Sequence, residues 1–202
     1  MAGPTVARSL RRVRLVELEH RYLGTLARIV SKPQVGRYWD TRGEEIDEHS
    51  LAELLFGSQI FQTVVERYPD GPVVGYCGLG DVSVPDLHGS MSLFMDDSTW
   101  GSGFALEVLV GYVDLVFART PLRKLYFPMH EQTVARQRGV DRFLNVEARF
   151  KNHVCIDGTW SDLVVAALDR DRFATMLERD RFVRRLLPLS EMEGTGQVVQ
   201  SA

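Results

Sequence analysis

The sequence predicts a single α+β domain, and three observations carry that prediction. Residues 61–67 with 73–79, and residues 146–156 with 160–168, read as antiparallel hairpins closed by turn-forming residues. Apolar side chains recur at helical spacing in two other stretches: Leu18, Tyr22, Leu26 and Ile29 or Val30, then Ala105, Leu109, Tyr112, Val113 and Val116. A strand-like run ending at Phe94 and Met95 passes through a glycine-bearing loop directly into the second of these helices. With 202 residues, 45% of them apolar and 25% charged, the chain can build one ordinary core and gives no reason for a second domain. Residues 1–188 are expected to form it, and residues 189–202, polar and glycine-containing, a disordered tail.

In chain order, the first helix is expected from Leu18 to Val30, stopped at Ser31 and Pro33, and a shorter one over residues 47–55. Tyr-Pro-Asp-Gly-Pro at 68–72 turns the first hairpin, and residues 88–96 supply the strand that enters the loop. Residues 125–129 read as a strand interrupted by Pro128, which has no N–H to give to a ladder. A helix is expected over 131–142. Val146, Ala148 and Phe150, then Val154 and Ile156, alternate as in a half-buried strand; Asp157-Gly158 is a strong hairpin turn, and residues 160–168 return. In the terminal helix the arginines from Arg170 to Arg185 are interleaved with Asp169, Asp171, Glu178 and Asp180, the pattern of a solvated, salt-bridged face. No internal repeat is evident.

The loop, Ser-Thr-Trp-Gly-Ser-Gly-Phe-Ala-Leu-Glu at 98–107, has the composition of an anion cradle. Gly101 and Gly103 can take conformations that turn several N–H groups toward one anion, and the following helix adds the positive end of its dipole. It is not the dinucleotide fingerprint, because Leu106 stands where the third glycine belongs and the acidic residue about twenty positions on is missing. Nor is it the nucleoside-triphosphate loop, which requires Gly-Lys followed by Ser or Thr.

The loop resembles the acyl-CoA loop of the GNAT superfamily of N-acetyltransferases, most of all the branch containing the ribosomal-protein N-terminal acetyltransferases, where it tends to read Trp-Gly-x-Gly-Tyr/Phe-Ala-x-Glu. Trp100, Gly101, Gly103, Phe104, Ala105 and Glu107 match in order. Downstream, Phe143, Glu147, Arg149, His153, Asp157, Gly158, Trp160 and Asp162 follow the spacing of that branch's last two strands. The resemblance spans roughly residues 10–170.

The resemblance implies a mixed, mostly antiparallel sheet with a splayed parallel strand pair, flanked by helices. It implies an N-acyltransferase that moves an acetyl or other acyl group from acetyl-CoA, or another acyl-CoA, to a primary amine of a small molecule or peptide by direct attack. Main chain near Phe94, Met95 and Asp96 would pair with the pantetheine arm, and N–H groups of Trp100, Gly101, Ser102, Gly103, Phe104 and Ala105 would hold the pyrophosphate. Gln132 stands where the family has an asparagine and joins this set. A backbone N–H near Met95 would polarise the thioester carbonyl.

The catalytic half of the pattern is less complete. Ser98 replaces Gln or Arg, Gln132 and Ala135 replace Asn-x-x-Ser, Arg142 replaces a glycine, Ser90 replaces a glutamate, and the helix after Pro128 has no tyrosine to protonate the sulfur. His130, Glu131 and Thr133 are the remaining candidates for acid and base work at the slot's mouth. Tyr38 and Trp39 could wall an acceptor site or simply pack their loop. His88, His153 and Cys77 read as structural or surface residues. Two alternatives stay open: a carrier-protein thioester, docking on Arg136, Arg138 and Arg142, or an aminoacyl-tRNA as donor; and a CoA-binding module without turnover.

A formal net charge of −3 argues against general nucleic-acid affinity. No apolar run reaches the roughly 18 residues of a membrane span, and Arg8, Arg11, Arg12 and Arg14 are not followed by a signal-like apolar stretch, so a cytoplasmic monomer or homodimer is expected. Cys77 and Cys155 lie singly in predicted strands, as reduced thiols do, and no His, Cys or carboxylate spacing suggests a metal.

Overall fold

The computed structural model describes residues 5–136 and 140–187. Eight strands form one sheet: β1 (Val6–Ser9), β2 (Val13–Glu17), β3 (Gln59–Arg67), β4 (Val73–Ser83), β5 (His88–Met95), β6 (Lys124–His130), β7 (Asn145–Ile156) and β8 (Thr159–Asp169). Their order across the sheet is β1-β2-β3-β4-β5-β6-β8-β7. Every neighbouring pair is antiparallel except β5 and β6. The helices are α1 (Leu23–Val30), α2 (Pro33–Gly36), α3 (Glu48–Ser58), α4 (Phe104–Arg119), α5 (Glu131–Arg136), α6 (Val140–Phe143), α7 (Arg170–Arg179) and α8 (Arg181–Leu186).

Strand alternation divides the apolar side chains between two faces. On one, Val13, Leu15, Cys77, Met91, Met95, Leu125 and Phe127 pack with α4, α7 and α8. On the other, Val16, Val64, Tyr76 and Phe94 pack with α1, α2 and α3. Helix α4 is apolar on most sides because it lies inside the first of these cores: Val108, Leu109, Val110, Tyr112, Val113, Leu115 and Val116 are all buried. Burial also pushes the Cys77 thiol pKa up, away from reactivity. Cys77 and Cys155 are both free thiols.

Both expected hairpins form, and Asp157 and Gly158 turn the second with φ values of 49° and 73°, the left-handed pair that a two-residue turn requires. Several expectations need correction. Strands β1 and β2 precede the first helix, where the sequence pattern shows only the helix; their four and five residues are too short to announce a period, although Val13 and Leu15 are fully buried. The helix begins at Leu23 rather than Leu18, because Glu19 is extended and Tyr22 sits in a single 3-10 turn whose hydroxyl donates to Glu66 Oε1 at 3.1 Å. The helix expected over 131–142 is described as α5 and α6, with residues 137–139 outside the described part. Arg170 is not a solvated charge: its guanidinium donates to the carbonyls of Phe117, Thr120 and Leu122, holding the C-terminal end of α4. The tail expected over 189–202 lies outside the described residues.

Candidate active site

Strands β5 and β6 pair only from His88 and Lys124 to Ser90 and Tyr126, yet β5 continues to Met95 and β6 to His130. A slot therefore opens between them. Asp96 N–H donates to Val74 O at 2.8 Å, and the β4–β5 register is constant from Gly75 and Met95 to Gly80 and Ser90. In an antiparallel ladder this fixes which residues face the partner strand. Phe94 and Asp96 point their main-chain groups at β4, whereas Leu93 and Met95 present theirs to the slot. Pro128 lies beyond Tyr126, the last β6 residue with a partner in β5, and still pairs with Val165 of β8.

At the end of β5 the chain makes a tight turn into α4. Asp96 Oδ1 accepts from Ser98 N–H at 3.0 Å, and Thr99 donates to Asp96 O through both its N–H and its hydroxyl. Lys32 Nζ donates to Asp96 Oδ2 and Asp97 Oδ1, each at 2.7 Å, and pulls the Asp97 carboxyl down to about 2. Gly101 and Gly103 have φ values of 72° and 78°, and Gly103 caps α4 in the left-handed conformation. The N–H groups of Trp100, Ser102 and Phe104 are used within the turn, by Asp97 O, Thr99 O and Ser102 Oγ. Among the described residues those of Gly101, Gly103 and Ala105 have no partner in the chain. A β-carbon built on Gly101 would meet no protein atom within 4 Å, so the space beside that residue is open at the positive end of α4. The geometry fits a phosphate group.

On the opposite wall of the slot, His130 closes β6 and is half-buried. Its Nδ1 and the hydroxyl of Thr133 on α5 are buried without a hydrogen-bond partner among the described residues. Burial first, and then the positive charge of Arg42, lowers the pKa of His130, so the imidazole is neutral at neutral pH. Tyr38 faces it with ring centroids 6.2 Å apart and donates its hydroxyl to Gln132 Oε1 at 2.8 Å. Arg37 pairs with Asp157 at 2.7 Å, tying the segment after α2 to the β7–β8 turn. The same segment continues into a cleft of about 650 Å³ lined by Asp40, Glu44, Glu45 and Asp47 among others.

A family model described as an acetyltransferase (GNAT) domain matches residues 12–141. The chain belongs to the GNAT acetyltransferase family. No curated protein sequence matches it. Its fold is similar to that of a spermidine N-acetyltransferase from Vibrio cholerae in complex with CoA and spermine, with a TM-score of 0.70 and 17% identity over 81% of this chain and 98% of that one. It is also similar to RimL, a ribosomal L7/L12 alpha-N-protein acetyltransferase in complex with coenzyme A, with a TM-score of 0.69 and 12% identity over 83% and 99% of the two chains. An acetyltransferase of the GNAT family from Bacillus anthracis aligns with a TM-score of 0.68 and 13% identity over 81% and 98%.

The GNAT reading of the sequence singles out residues that fall in different places. The glycines and Ala105 line the donor row, while Trp100 leaves its side chain 47% exposed beside it. Phe94 is buried beneath Trp39 and Tyr76 and, with Asp96, spends its main chain on β4. Glu131 is exposed and held by Arg149, which also donates to Asp162. Trp39 packs its loop, 7% exposed, and donates to Ser92 Oγ at 2.8 Å. Sequence reasoning misses Leu93 and Arg12. Leu93 is recoverable from the odd-numbered phase of β5; Arg12 carries no motif signal. Among the described residues no group of three His, Cys, Asp or Glu side chains could hold a metal ion, and no helix is long and apolar enough to cross a membrane.

Proposed function

We propose that the protein is an acetyl-CoA-dependent N-acetyltransferase that acetylates a primary amine by direct attack. One observation carries this reading: a slot walled by two diverging parallel strands ends on a row of three uncommitted N–H donors at a helix N-terminus. Acetyl-CoA would supply the thioester. The main chain of Leu93 and Met95 would pair with its extended arm, and the N–H groups of Gly101, Gly103 and Ala105 would hold its pyrophosphate.

Transfer to an amine forms the new C–N bond as the thioester C–S bond breaks, and requires that the acceptor lose a proton, that negative charge developing on the carbonyl oxygen be stabilised and that the departing CoA thiolate take up a proton. The Met95 N–H is the donor for that oxygen. His130 is the group suited to carry the proton, because it is kept neutral and its Nδ1 has no competing partner among the described residues. Thr133 Oγ1, also buried without a partner among the described residues, lies on the helix that follows it. The carboxylates of Asp40, Glu44, Glu45 and Asp47 on the adjoining segment favour a cationic acceptor, which fits a small polyamine-like molecule better than an acidic peptide.

The reading is tested by incubating the purified protein with acetyl-CoA and a panel of polyamines, peptides with free N-termini and aminoglycosides, with mass spectrometry of the products. Addition of one acetyl group to a cationic amine is expected. Tight CoA binding without any product would instead mark a binding module that no longer catalyses, and transfer only from a carrier-protein thioester would change the donor.

A further inference from the structure

Glu107 belongs to the loop motif, yet it touches no place where a ligand could sit: it is 1% exposed, one turn into α4. Its carboxylate accepts from Arg12 twice, from the main-chain N–H at Oε1 and from Nε at Oε2, both at 2.7 Å. Arg12 comes from the turn between β1 and β2, far away in sequence. The same guanidinium donates through Nη1 to Ser102 O at 2.8 Å and lies over the Phe104 ring at 4.5 Å. Its Nη2 stands 3.6 Å from the place a β-carbon on Gly103 would occupy. Arg12 thus grips the peptide between the two left-handed glycines and the first turn of α4 at once.

We infer that Arg12 is a positioning residue for the phosphate loop. Fixing the Ser102 carbonyl on the protein side turns the adjoining Gly103 N–H, which points the opposite way within the same trans peptide plane, outward from Arg12. Glu107 in turn fixes Arg12, since a planar guanidinium held at Nε cannot swing its Nη groups away. The ion pair is the part of the motif that keeps three main-chain donors aimed at one anion; a loop without it would have to be ordered by the ligand, at a cost in affinity. This inference rests on the loop being the CoA phosphate site.

The test compares CoA with pantetheine, which lacks the pyrophosphate, in the wild-type protein, Arg12→Lys and Glu107→Gln. Calorimetry reads CoA affinity, and the amide shift of Met95 in a pantetheine titration reads the slot. Lysine in place of Arg12 keeps the charge but cannot bridge Glu107 and Ser102 O together; glutamine in place of Glu107 keeps the shape and one acceptor. CoA affinity is expected to fall about tenfold or more in both, as when one charge-assisted hydrogen bond is weakened, while pantetheine affinity stays within about twofold. Unchanged CoA affinity, equal losses for both ligands, or failure of both variants to fold would overturn the assignment and leave Arg12 a purely structural residue. A wild-type protein that does not bind CoA would instead overturn the reading of the loop itself.

Discussion

At the loop over residues 96–107 every charged side chain has a fixed partner and the uncommitted groups are main-chain donors, whereas at the β6 wall of the slot two side-chain polar atoms are left uncommitted. Lys32 holds Asp96 and Asp97, and Arg12 holds Glu107 and Ser102 O. His130 Nδ1 and Thr133 Oγ, by contrast, are buried without a partner among the described residues. A rigid scaffold with free N–H groups suits a ligand portion that does not change during reaction. Free polar side chains in a partly buried setting suit the portion where protons move. The contrast separates binding, on the β5 side of the slot, from chemistry, on the β6 side.

Changes to the loop should therefore remove affinity, and changes at the mouth should remove rate. The largest effect is expected from Gly101→Val or Gly103→Val. Each residue has φ above 70°, a conformation that a β-branched side chain rarely takes, so the donor row would be misaimed as well as obstructed. CoA affinity should fall on the order of 10³-fold by calorimetry, the equivalent of two charge-assisted hydrogen bonds, while circular dichroism stays native. A folded variant with normal affinity would break the contrast.

His130→Gln should lower kcat about 10²-fold with little change in the KM for acetyl-CoA, the usual contribution of a positioned acid or base. A loss below about tenfold would mean that water carries the proton. The pH profile sharpens the same point. Because burial and Arg42 favour the neutral imidazole, the rate should fall only when the pH drops below the ordinary histidine range. Arg42→Ala relieves the second of these causes, so the acid limb should move to higher pH while kcat at about pH 8, well above the histidine range, is unchanged; an unmoved limb would place the titration on another group.

The smallest effect concerns stability. Lys32→Met removes both ion pairs at the end of β5 and should cost about 1 kcal/mol in denaturant unfolding near neutral pH, in line with partly exposed pairs. Asp97 is depressed in the folded protein by its bonds to Lys32 and Gln34, so its contribution is present above the carboxyl pKa of the unfolded chain and is lost as the pH falls toward about 2. Wild type and variant should converge across that acid window. A constant difference would show that the pair is not the cause.

The same contrast explains what can be read from the sequence. Main-chain geometry constrains composition locally: left-handed turns call for glycine at Gly101, Gly103 and Gly158, and each is legible. The strand before the loop and both hairpins follow from alternation. The partners that fix the loop are not legible, because Arg12 lies 95 residues from Glu107 and nothing in its local pattern distinguishes it from its basic neighbours. The mouth is legible only in part. His130 is found from its place at a strand end, but the Tyr38 contact with Gln132 spans 94 residues, and the ion pair of Arg149 with Glu131 joins α5 to a strand whose register is bulged. Short strands such as β1 escape because four residues hold too few alternations to register a period.

The central claim is that coenzyme A lies along the slot between β5 and β6 with its pyrophosphate on the α4 loop, and an amide-resolved NMR titration of the full chain with CoA tests it most directly. The largest shifts are expected at Leu93, Met95, Gly101, Gly103 and Ala105, with Phe94 and Trp100 moving less because their N–H groups are already bonded within the chain. Shifts confined to the acidic cleft or to the β7 edge, or none at saturating CoA, would contradict it.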